Sequence, residues 1–118
     1  MKAFHMLFAL MANTAIAALP KANEYTDHAC TNFNYGHHSQ YLTDVFMDET
    51  THSVYLNGGY GFWTGTQYEW LAYSEKGSDG VTCRGEFLGR LPSDGDCVNL
   101  DAHFSKRINC VRNGSKED

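Results

Sequence analysis

The chain has 118 residues but only two prolines, nine Lys and Arg, and no stretch beyond its first twenty residues with the ~20 apolar side chains a membrane-spanning helix needs. The scarcity of proline, with 11 glycines in no three-residue period, excludes a collagen-like or proline-rich chain. The missing apolar run argues against a membrane span in the body of the chain. Fourteen acidic residues against nine basic ones give a net charge of −5, opposite to what a phosphate-binding surface needs, so nucleic acid is a disfavoured partner. There is no internal repeat and no low-complexity segment. With 42% hydrophobic and 19% charged residues, the composition fits one globular domain.

The first residues, MKAFHMLFALMANTAIAALP, place one lysine before an apolar stretch and end it in Ala15-Ile16-Ala17. This is the layout of a secretory signal peptide over residues 1–17, and it predicts a secreted, extracellular product. Removing it deletes Lys2 and no acid, leaving 8 basic side chains against 14 acidic and a charge of −6. Residues 18–27 read as a flexible polar lead-in, residues 28–112 as the single folded domain, and residues 113–118 as a flexible tail. The tail carries a glycosylation sequon at Asn113. A local basic trio, Lys106, Arg107 and Arg112, stands near the same end.

Cys30, Cys83, Cys97 and Cys110 all follow the leader, and an even count in a small exported domain predicts two disulfides. Neither a C-x2-C nor a C-x4-C pair is present, which argues against a zinc site. Of three possible connectivities the preferred one joins Cys30 to Cys110, tying the domain ends, and Cys83 to Cys97, closing the turn through Pro92 and Gly95.

Leu42, Val45, Phe46 and Glu49 fall at helical spacing after Ser39, a candidate N-cap, and predict one short helix. From His52 onward, aromatic and β-branched residues punctuated by Asn57-Gly58-Gly59 and Gly65 predict three short strands. Further strands are expected at Val81–Leu88 and Arg107–Val111, with a second short helix over Asp96–Phe104. The sum is an α+β domain, a small disulfide-stapled antiparallel sheet with one or two helices on one face.

Candidate chemistry is sparse. His28, His37, His38 and His52 invite a metal reading, but adjacent strand residues point to opposite faces and no HExxH framework is present, so they read as exposed loop histidines with no metal. Asp94-Gly95-Asp96 opens like a calcium loop, yet Val98, Asn99 and Ser105 occupy ligand, glycine and glutamate positions. No cofactor is expected. In GYGFWTGTQYEW, Glu69 sits between Tyr68 and Trp70. This segment resembles the catalytic strand of the small guanyl-specific fungal ribonucleases, where a strand glutamate is general base. That resemblance implies an alternative, enzymatic reading with Glu69 as base, His103 as acid and Arg84 or Arg90 stabilising the phosphorane.

The stretch from His52 to Tyr73 holds seven Tyr, Phe and Trp residues in 22 positions and one charge, Glu69. Strand alternation sends about half of such rings outward. Tyr60, Phe62, Trp63 and Tyr68 are accordingly the expected contacts for a protein partner. The whole chain, from the leader through HACTNFNYG to RINCVRNG, is similar to the secreted-in-xylem effectors of vascular-wilt fungi. The resemblance implies a virulence protein of plant infection without catalytic residues, acting by binding a companion effector or a host protein, with entry into host cells left open. It also implies a fold akin to the fungal killer toxins, a sheet backed by helices.

Overall fold

The computed structural model describes residues 18–38, 40–61 and 65–116. The expected leader, Ser39, Phe62 and Trp63 lie outside them. The described residues form eight strands: β1 Lys21–Tyr25, β2 Phe33–His38, β3 Asp44–Phe46, β4 Ser53–Asn57, β5 Tyr68–Lys76, β6 Cys83–Leu91, β7 Asp94–Asn99 and β8 Cys110–Ser115. They form two four-stranded antiparallel sheets, ordered β2-β1-β4-β7 and β3-β8-β5-β6.

One apolar core joins the sheets. The first contributes Ala22, Val54, Leu56 and Val98, the second Val45, Trp70, Ala72, Leu91 and Val111. Alternate residues of each strand point inward, which places these side chains on facing surfaces. Trp70 is fully buried, and its indole N–H donates to the Asn57 carbonyl at 2.9 Å, so one ring both fills the core and links β5 to β4. Gly58 follows β4 against β5, where a Cβ would stand 1.7 Å from the Tyr68 carbonyl oxygen. Glycine is required there by the close approach of two backbones.

The expected α+β architecture is overturned, because no helix occurs among the described residues. In the segment from Ser39 to Glu49, Val45 and Met47 are buried at a spacing of two, whereas Leu42 is 65% exposed with φ 61°. The same apolar residues satisfy both periods, and β-branched and aromatic neighbours favour the strand. Over Asp96–Phe104, Val98 and Leu100 are buried, again two apart, and the segment is β7 followed by turns. The predicted flexible lead-in holds β1, a central strand between β2 and β4. The predicted tail carries β8 through Ser115, between β3 and β5. Instead of three short strands, the described residues from His52 to Tyr73 form β4 and the start of β5, with Tyr60 held in isolated bridges to Ala18 and Gln67.

Both disulfides form, with the connectivity corrected to Cys30–Cys97 and Cys83–Cys110. Cys30, in the β1–β2 loop, reaches edge strand β7 of its own sheet. Cys83 and Cys110 begin β6 and β8, on either side of β5. The expected pairs would each have bridged the two sheets; the observed pairs each stay within one. Proximity in sequence suggested Cys83 with Cys97, but β6 and β7 belong to different sheets.

Candidate functional site

Of the nuclease candidates, the structure brings Glu69 and Arg90 together and holds Arg84 apart from them. Glu69 points away from the core neighbours Trp70 and Ala72, is buried, and pairs with Arg90 at 3.2 Å. Arg84 pairs with Asp79 at 3.7 Å and lies opposite Glu75 in the register, six residues along β5 from Glu69, or about 20 Å. His103 is exposed and packs edge-on against Phe104, which itself packs on the core.

Of the aromatic contacts expected from His52 to Tyr73, Trp70 is core and Tyr68 is half-buried, with its ring 4.6 Å from that of Tyr41. Tyr60 is 37% exposed; its carbonyl accepts the Tyr41 hydroxyl. Phe62 and Trp63 lie outside the described residues. Among the described residues the rings more than half exposed stand elsewhere: Phe33 at 60% and Tyr35 at 51%, both on β2, and Phe87 at 51% on β6. Alternation in FNYGHH was available as a signal in the sequence, but its short length and two histidines made it read as loop.

β2 is an edge strand, and its composition separates it from the other edges. β7 carries Asp94 and Asp96 and a register shift, β6 carries Arg84, Glu86 and Arg90 with two register shifts, and β3 has only three residues. These are the usual guards against pairing with another chain. β2 has no charged Lys, Arg, Asp or Glu and no proline, and its one irregularity is at the β1 Glu24/Tyr25 step. Phe33 turns to the outer face against Tyr25, centroids 5.8 Å apart, and over Gly36. Tyr35 and His37 turn to the inner face, paired with Glu24 and Ala22.

There the edge of the sandwich stays open. Two adjoining cavities, of about 400 and 290 Å³, share His37 and Phe46; the first extends to Asp44 and Val81, the second to Tyr35 and Lys76. The floor is Glu24, buried in the sheet, whose carboxylate accepts the Asp48 N–H at 2.9 Å and the Thr51 hydroxyl at 2.7 Å and pairs with His37. Burial opposes ionisation of Glu24, but the bonds from His37, Asp48 and Thr51 outweigh it and hold the carboxyl below its usual value. The cleft thus offers an anionic floor, an imidazole and an aromatic wall.

The C-terminal basic trio is neutralised in place: Lys106 pairs with Glu86, Arg107 with Asp101 and Arg112 with Asp44. Asn113, the expected glycosylation candidate, is 2% exposed; its amide donates to the Gly58 and Glu69 carbonyls and its oxygen accepts the Leu42 N–H. A glycan at that nitrogen is incompatible with this packing. Three of the histidines read as exposed loop residues have side-chain partners. His37 closes on Glu24, while His28 and His52 converge on Asp101.

No family model, curated protein or solved structure matches this chain. Two disulfides in a small compact domain fit an extracellular protein.

Proposed function

We propose that the protein is a secreted effector that works by binding, with β2 as the docking edge for an extended segment of a companion secreted protein. The observation that carries this reading is the unguarded edge: β2 carries two rings more than half exposed and no formal charge, while the other three edges are short, charged or bulged. An added strand would gain backbone hydrogen bonds along β2, and alternate side chains would enter the cleft beside Tyr35 and His37. Interface cores are depleted in charge and enriched in aromatic residues, as β2 is. The leader, the paired cysteines and the similarity to secreted-in-xylem effectors support export and a role in plant infection.

The test is affinity capture from infected plant tissue with the oxidised chain, wild type against Tyr35→Lys, a substitution that adds an edge guard. The expected result is a defined partner retained by wild type and lost from the variant. Equal retention by both chains, or no partner on the wild type, overturns the reading.

A further inference from the structure

Three residues far apart in sequence meet on the surface. His28 comes from the β1–β2 loop, His52 immediately precedes β4, and Asp101 follows β7. The His28 Nε2 lies 2.9 Å and the His52 Nδ1 2.6 Å from the same oxygen, Asp101 Oδ2. One ligand atom from each residue lies within 4.8 Å of the other two.

Each is fixed by its surroundings. Asp27 accepts the N–H groups of Ala29, Thr31 and Asn32 and the Thr31 hydroxyl, shaping the loop that presents His28; two residues on, Cys30 is tied to Cys97. His52 is held through its backbone to Tyr25 and Leu100. Arg107 donates to Asp101 Oδ1 at 2.7 Å, and its other nitrogens reach Asn109, Asp48 and Thr51. That arrangement occupies one carboxylate oxygen and turns the other toward the imidazoles.

We propose that His28, His52 and Asp101 form a three-ligand site for a borderline divalent transition metal, Zn²⁺ foremost, with the fourth position open to solvent. Two imidazoles and one carboxylate suit zinc, copper or nickel, whereas calcium and magnesium require more oxygen donors. Metal–ligand bonds of about 2.0–2.2 Å in tetrahedral geometry separate ligand atoms by about 3.3 Å. The observed 2.6 and 2.9 Å contacts must therefore open by roughly half an ångström. The side chains of His28 and His52, 58% and 40% exposed, have room to make that shift. Arg107 cancels the formal charge of Asp101, and acts as the outer group that orients the carboxylate. The open position would accept water or a side chain from a bound partner.

Calorimetric titration of the untagged, oxidised chain at neutral pH with ZnCl₂ alone tests the site. One ion should bind per chain, while CaCl₂ gives no binding. His28→Gln and His52→Gln should each weaken zinc by about 10-fold or more, and His103→Gln, two residues past Asp101 but outside the three-ligand group, should leave it unchanged. Circular dichroism of the same samples confirms that the surface substitutions leave the fold intact. Absence of saturable zinc binding, or binding that survives either of the first two substitutions unchanged, overturns the proposal.

Discussion

The side-chain oxygen of Asn113 accepts the backbone N–H of Leu42 at 3.0 Å, across 71 positions of sequence. The same carboxamide donates to the Gly58 and Glu69 carbonyls at 3.0 and 3.3 Å. One buried side chain thus satisfies three backbone groups from the segment before β3, the end of β4 and β5.

Asn113→Ala should therefore destabilise the fold by about 3 kcal/mol or more, since it leaves buried backbone groups without partners, each costing about 1–3 kcal/mol. Urea denaturation measures the loss. Mass analysis of the protein exported from a eukaryotic host should find Asn113 unmodified.

Glu24 links stability to acidity. Its carboxyl ionises more readily folded than unfolded, so its contribution is fully present above about 4.5, the unfolded value, and declines as pH falls through the lower folded value. Denaturation midpoints should fall below that pH in the wild type. Glu24→Gln should be less stable at neutral pH and show a flatter acid limb; an unchanged limb would exclude Glu24 as the source.

The disulfides differ in access. Cys83 and Cys110 are 2% and 0% exposed, whereas Cys97 is exposed and Cys30 partly so. Limited reduction followed by alkylation should label Cys30 and Cys97 first. Replacing the pair Cys30 and Cys97, 67 positions apart, should cost about 4 kcal/mol, and the pair Cys83 and Cys110, 27 apart, about 3.5 kcal/mol plus the loss of buried packing.

The purified protein should leave RNA uncleaved, and Glu69→Gln should leave partner capture unchanged. A general base contributes about 10²–10⁴ in rate. RNA cleavage by the wild type that falls by such a factor in the variant would favour the enzymatic reading over the binding one.

From His52 onward β4, β5, β6 and β8 were legible in outline, because aromatic and β-branched residues between glycines have few alternatives, whereas β7 read as part of a helix. The segment around Leu42 was not, since Leu42, Val45 and Phe46 suit a helical face while Val45 and Met47 suit a strand. Deciding between them required knowing that Leu42 adopts a left-handed backbone conformation and meets Asn113. β1 was hidden because Glu24 makes KANEY look solvated, though its carboxylate is met inside by groups from residues 37, 48 and 51. The meeting of His28 and His52 at Asp101 was equally out of reach, since it depends on strand order. Two cysteine pairs were readable from their number; their partners were not.

The confinement of each disulfide to one sheet bears on how the chain matures. In a chain oxidised from its N-terminus onward, Cys30 is available first and Cys83 second, and these two are not partners. Each native bond waits for a later thiol, Cys97 or Cys110. A premature link between Cys30 and Cys83 would lock strands of opposite sheets together, so efficient oxidative folding depends on delaying that bond or on thiol exchange to release it.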